Sequence, residues 1–338
     1  MKKKNFSLLE GKLQSLSGLN HALIVSHDNP DPDSLASSWG LAFLLKKNLG
    51  INSTITYGGL IGRAENRAMV KVLKIPLVPF TPTLIQEHNA ILMVDCQPHT
   101  GNSSLPEESI PDMVIDHHPL RETTHYKRWA YVDEKKGATS SIISSFIKEQ
   151  NLPVSKRLAT ALFYAIRSET KDLGWEGSKE DYENYLFLLP QVDFKALHQI
   201  TYPPLPSDYY QCVKKAVEKS LIYKFILVSP LDKVPYPELP AEIADFLILK
   251  ENVDLALVTG LYEGDLYLSM RSLKKKYHTA QIMHKIIQGY GSGGGHTLRA
   301  GGKIPHVSTS KAKEIQQTMI HRSLKEFSLT RVKPTKLS

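Results

Sequence analysis

Cysteine is nearly absent from this chain. Cys96 and Cys212 are the only two thiols among 338 residues, and they lack the paired spacing of zinc ribbons and disulfide scaffolds. Both are expected as free thiols in a reducing, cytoplasmic setting, and a cysteine-ligated structural zinc is argued against. No apolar run is long enough to span a bilayer, so no membrane role is expected. The basic opening Met1-Lys2-Lys3-Lys4 leads into Asn5-Phe6-Ser7-Leu8-Leu9-Glu10, too short an apolar core for a secretory signal. No internal repeat occurs. The one glycine run, Gly289 to His296, reads as a loop, and it lacks the closing Lys-Ser/Thr of a P-loop and the spacing of a dinucleotide fingerprint. What the chain does have is a 41% hydrophobic fraction, ample for real cores, and a formal net charge of +8. That excess favours polyanionic partners, nucleic acid above all.

The first half alternates in a βα rhythm, which predicts an α/β fold: a parallel sheet with helices on both faces. Ala22-Leu23-Ile24-Val25 reads as a buried strand, followed by a helix that ends near Gly50, a fitting C-cap. Residues 53–57, 90–94, 112–115 and 221–228 read as further strands, and 63–73, 137–147, 156–166 and 179–189 as helices. Composition shifts at Tyr202-Pro203-Pro204-Leu205-Pro206, an extended proline-rich stretch. The expected division is 1–190 as the first domain, 191–220 as linker and connecting helix, and 221–322 as a smaller α/β domain. Residues 323–338 are expected as a loosely ordered basic tail.

The chemistry concentrates at strand ends. Ser26-His27-Asp28-Asn29-Pro30-Asp31-Pro32-Asp33-Ser34 follows the first strand, Asp95 follows 90–94, and Asp116-His117-His118 follows 112–115. In an open α/β sheet that edge is where ligands bind. The bland reading of the first stretch is a polar loop with an Asp or Ser capping the next helix. Three such strand ends, all rich in carboxylate and imidazole, are hard to read as solvated loops. A fourth polar cluster, Arg167-Ser168-Glu169-Thr170-Lys171-Asp172, ends the 156–166 helix and offers two carboxylates. The set suffices for two cations sharing one carboxylate, about 3.5–4 Å apart, the clamp used for in-line displacement at phosphorus. Oxygen-rich ligation with some imidazole favours Mn²⁺, with Mg²⁺ or Co²⁺ as alternatives.

These residues resemble the DHH phosphoesterase family, from about Ala22 to Gly302. His27-x-x-x-Asp31-x-Asp33 is similar to the family's first motif, Asp95 to its second and Asp116-His117-His118 to the signature that names it. Gly293-Gly294-Gly295-His296 resembles the signature of the associated DHHA1 domain, and the two-domain size resembles the nanoRNase and pAp phosphatase branch. The resemblance implies that His27, Asp31 and Asp95 hold one ion and that Asp33, Asp95, His117 and a fourth-motif carboxylate hold another. It further implies that His118 faces the substrate phosphate and Asp116 orients an imidazole, with Arg271, Gly293, Gly294, Gly295 and His296 binding substrate. Two departures stand out: Pro32 replaces the usual glycine, and Glu169-Thr170 replaces Asp-Thr. Glu169 is preferred over Asp172 as the ligand. The implied activity is hydrolysis of short oligonucleotides, as a nanoRNase-like 3'-5' exonuclease, or of pAp-type phosphonucleotides. A homodimer is left open. The alternatives are a cyclic dinucleotide phosphodiesterase and a non-catalytic nucleotide- or nucleic-acid-binding module with a decayed fourth motif. A RecJ-like exonuclease would need a longer chain, and His296 argues against a family II pyrophosphatase.

Overall fold

A computed structural model describes residues 14–122, 124–174 and 177–338; the basic amino-terminal stretch lies outside them. The chain divides into two compact units, Met1–Pro203 and Pro204–Ser338.

The first unit is built on six strands: β1 (His21–Val25), β2 (Asn52–Tyr57), β3 (Leu77–Pro79), β4 (Ala90–Val94), β5 (Met113–Asp116) and β6 (Trp129–Val132). All pair in parallel, in the order β3-β2-β1-β4-β5-β6. Strand order therefore reverses between β1 and β4, which opens a crevice at their carboxyl ends. Side chains alternate along each strand, and both faces of the central strands β1, β4 and β5 are buried. Ala22 and Ile24 join the larger core, which packs against α1 (Pro32–Leu49), α2 (Ala64–Leu73), α4 (Thr139–Glu149) and α5 (Lys156–Glu169). Leu23 and Val25 face a smaller cluster closed by Leu105 and by the short α3 (Thr83–Glu87). Two further helices, α6 (Lys179–Leu188) and α7 (Phe194–Thr201), complete the unit. Strands β3 and β6 have no clear sequence signal: three and four residues carry too little periodicity to be seen.

Helix α1 shows why the opening stretch folds as it does. Asp31 caps it, its Oδ1 accepting from the backbone N–H groups of Asp33 and Ser34 at 2.9 and 3.0 Å. Pro32 suits the first helical position, where a missing N–H costs nothing. Gly50 ends the helix at φ 71°, a left-handed conformation that suits glycine. Midway, Gly40 lets Ile143 of α4 come close; a Cβ there would lie 2.5 Å from its Cγ2.

The second unit opens with α8 (Ser207–Lys219). Its strands are β7 (Leu221–Tyr223), β8 (Ile226–Lys233), β9 (Leu255–Tyr262), β10 (Asp265–Ser272), β11 (Ser292–Gly295), β12 (Arg299–Ile304) and β13 (Thr335–Lys336). They form one mixed sheet in the order β11-β12-β10-β9-β8-β7-β13. Helix α9 (Leu239–Leu247) packs with α8 on one face; α10 (Thr279–Ile287) and α11 (Thr309–Glu326) cover the other.

Three expectations change here. The stretch 221–228, read as one strand, is a hairpin, because Lys224 turns at φ 57°. The segment after Ser323 is packed rather than loose: Ser323, Leu324 and Leu329 are buried, and Thr335 and Lys336 pair with β7. The glycine run is not a loop. Gly293, Gly294 and Gly295 form β11 and pair with Gly302, Gly301 and Ala300. A Cβ on Gly293 would crowd Met283 of α10 at 2.9 Å, so the glycines let a helix lie close against the sheet.

Candidate metal centre

The reversal between β1 and β4 gathers the predicted residues of the first unit. His27 leaves β1, Asp31 and Asp33 open α1, and Asp95 ends β4 beside it. Asp95 sits at φ 59°, a costly conformation for a non-glycine residue and one that clusters at functional sites. Its N–H is held by Ile115 O at 2.9 Å. Asp116, His117 and His118 follow from β5.

Asp95 is 2% exposed, and its two oxygens face different partners. His27 Nε2 lies 3.7 Å from Asp95 Oδ2 and 3.7 Å from Asp31 Oδ1. His117 Nε2 lies 3.7 Å from Asp95 Oδ1 and 3.8 Å from Asp33 Oδ2. These separations are too long for hydrogen bonds. They suit pairs of donors sharing one cation at about 2.1 Å each. His27, Asp31 and Asp95 thus form one group able to hold a divalent ion, and Asp33, Asp95 and His117 another. Oxygen and imidazole donors suit Mn²⁺ or Mg²⁺. Asp31 serves as helix cap and candidate ligand at once, so the bland and functional readings of that residue are compatible.

The imidazoles are oriented from behind. His27 Nδ1 meets Asp28 O at 2.9 Å, and His117 Nδ1 meets Lys136 O at 3.2 Å. A carbonyl can only accept, so Nδ1 carries a proton and Nε2 is the nitrogen turned to the cluster, the one available to an ion. His118 is set differently, its Nδ1 bonding Asp116 Oδ1 at 2.8 Å, and its side chain is 40% exposed. Asp116 also accepts from the backbone N–H of His117 at 2.8 Å, so it organises the signature, and with Asp95 and His118 it forms a further group able to hold an ion.

The two acids of the fourth cluster stand in different surroundings. Asp172 pairs with Arg167 Nε at 2.5 Å and is 70% exposed on its side chain. Glu169 is the last residue of α5, and its charge acts on Asp33, His117 and His118. Lys171, Asp172 and Leu173 all adopt positive φ, a turn that sends Asp172 back to Arg167.

Two contributors were not apparent from the sequence. Gln97 is buried; its side-chain amide donates to Asp116 Oδ2 at 2.7 Å, and its oxygen accepts from Thr124 Oγ1 at 2.7 Å and Arg121 N at 3.1 Å. Thr139, on the first turn of α4, donates from Oγ1 to Asp95 Oδ1 at 2.8 Å. Neither belongs to a charged cluster, and both meet their partners only through tertiary folding. Cys96 is a packing residue: burial, then the charges of Asp116 and Asp95, push its thiol well up.

So many carboxylates in one buried place resist full ionisation. Burial, then the charges of Asp31 and Glu169, push Asp33 up to about 7. Burial, then Asp33, Asp31 and Asp116, push Asp95 well up. Burial works to lower His27, but the neighbouring Asp31 carboxylate prevails and raises it to about 9. Burial and the charge of His118 lower His117. All three raised groups bind protons more tightly folded than unfolded, so the stability they contribute disappears as pH rises. For Asp33 the loss runs from 3.8 to about 7, and for His27 from 6.5 to about 9. We expect the melting temperature of metal-free protein to fall between pH 5 and pH 8, and saturating Mn²⁺ to flatten that fall. A metal-free melting temperature that climbs over this range refutes the assignment.

The substrate-binding residues expected in the second unit sit on its sheet. Arg271 belongs to β10 and is 7% exposed. Its Nε bonds Asp245 at 2.8 Å and its Nη1 bonds Ser269 Oγ at 2.8 Å, so the guanidinium is held rather than loose. His296 directly follows β11, its backbone N–H donating to Arg299 O at 2.7 Å.

Residues 21–166 match the model of the DHH family, N-terminal domain. This segment is a DHH domain. An uncharacterized protein of Methanocaldococcus jannaschii is 32% identical over 286 residues, covering 84% of this chain and 58% of its own length. The manganese-dependent inorganic pyrophosphatase of Bacillus subtilis is 28% identical over 148 residues, 44% of this chain and 47% of that enzyme. The chain therefore spans about half the length of each of these two relatives. Among solved structures, an exopolyphosphatase-related protein from Bacteroides fragilis superposes with a TM-score of 0.69 at 16% identity. That match covers 96% of this chain and 98% of the other, so the fold extends beyond the DHH domain into the second unit. No helix among the described residues is long and apolar enough to cross a membrane.

Proposed function

We propose that this chain is a divalent-metal-dependent phosphoesterase acting on short oligonucleotides or pAp-type phosphonucleotides. The observation that carries the reading is the bifacial Asp95, one oxygen toward His27 and Asp31 and the other toward His117 and Asp33. His27, Asp31 and Asp95 would hold one ion; Asp33, Asp95, His117 and Glu169 would hold the second. Bound there, two divalent cations supply Lewis acidity toward a phosphoryl group and a hydroxide source near neutral pH. His118 is the proton-bearing group beside them. Burial lowers it, but its bond to Asp116 prevails and raises it, so its imidazolium can donate to a phosphoryl oxygen or a leaving group. The manganese dependence named for the Bacillus subtilis relative supports the choice of ion.

Charge supports a nucleotide substrate. Of the 42 Lys and Arg and the 34 Asp and Glu, 20 and 12 fall in Pro204–Ser338. The second unit therefore carries the whole +8, and the unit with the carboxylate cluster is neutral. We read this second unit as a DHHA1-type domain that binds substrate through Arg271, Gly293, Gly294, Gly295 and His296. The test is a panel of dinucleotides, five-mers, pAp, cyclic di-AMP and pyrophosphate with Mn²⁺. Turnover of short oligonucleotides or pAp is expected. Hydrolysis confined to pyrophosphate, or none at all, overturns the reading.

A further inference from the structure

We propose that Thr139 is a positioning residue that makes Asp95 a bridge, and that its hydroxyl sets the affinity of the second cation position. The inference rests on the two-cation reading above. Thr139 is fully buried at the start of α4. Its Oγ1 donates to Asp95 Oδ1 at 2.8 Å, the oxygen that faces His117. Its own N–H donates to Asp33 Oδ2 at 2.7 Å, and the next N–H, of Ser140, to Asp33 Oδ1 at 2.7 Å. One residue therefore orients both carboxylates of the second donor group. The carboxylates of the first group are placed otherwise: Asp31 is held by the start of α1, and Asp95 Oδ2 faces His27.

A carboxylate free to turn about its Cβ–Cγ bond can offer both oxygens to one cation. The Thr139 hydroxyl removes that freedom, because it donates to one oxygen from a fixed direction. The plane of Asp95 then presents one oxygen to each donor group. Losing the hydroxyl frees that plane and leaves Oδ1 with one donor fewer in a buried place. The backbone N–H groups that hold Asp33 survive a side-chain change, so folding and second-cation binding should separate.

The experiment is a Mn²⁺ titration of the metal-free full chain by calorimetry, with electron paramagnetic resonance at two equivalents. Wild type should take up two ions and show the signature of a coupled pair. Thr139→Val, nearly isosteric, should keep the first ion within about threefold, weaken the second about 10–100-fold and lose the coupled signal. Thr139→Ser should restore wild-type behaviour. Two wild-type ions in Thr139→Val overturn the proposal, as does a Ser variant as weak as Val, which would place the effect in the methyl group. Wild type binding fewer than two ions sinks the two-cation reading itself, a failure visible before any variant is made.

Discussion

Asp95→Asn should abolish Mn²⁺-dependent hydrolysis while raising the stability of the metal-free protein. The two effects share one cause. Asp95 is the carboxylate common to both donor groups, and losing it weakens both ion positions together. Two-metal stabilisation of phosphoryl charge is worth several kcal/mol, and each 1.36 kcal/mol is tenfold in rate, so a fall of about 10³-fold or more is expected. In the absence of metal, the same carboxylate is buried among Asp31, Asp33 and Asp116, and its ionised form is disfavoured by all three. An amide keeps its shape and removes its charge, so at pH 8 the metal-free variant should melt above metal-free wild type. Mn²⁺ should then add little further stability. Retained turnover, or a variant less stable than wild type without metal, contradicts the assignment.

The second large effect separates two acids three residues apart. Glu169→Gln should reduce the rate or second-ion affinity about 10–100-fold, as loss of a ligand-shell partner does. Asp172→Asn should stay within about threefold, because Asp172 is spent on an exposed ion pair with Arg167, an interaction of small worth. Measuring Mn²⁺ uptake and turnover of both variants checks this. An Asp172→Asn variant as damaged as Glu169→Gln would show that the turn after α5 rearranges when ions bind.

The pattern of what was legible follows from range. Most candidate ligands were visible because they lie at or shortly after the end of an apolar strand, and strand followed by acid or imidazole is a local pattern. The cap of α1 was equally local: Asp31 bonds within three residues. The glycine run misled because its reason is not local. Those glycines serve Met283 of α10 and the facing strand β12, which no spacing reveals. The hairpin at Lys224 was missed because a single left-handed residue bears no mark in composition. Gln97 and Thr139 escaped for the same reason, each being an ordinary polar residue until its partner, 19 or 44 positions away, is folded against it.

Sequence alone therefore determined which strand ends carry donors and that those donors are oxygen and imidazole. It did so because donor type and strand adjacency are properties of neighbouring residues. Only the tertiary structure decided how the donors divide, with one oxygen of Asp95 on each side and Asp172 turned away to Arg167. That division depends on bond directions within a few tenths of an ångström, set by strand order and helix packing over long separations along the chain.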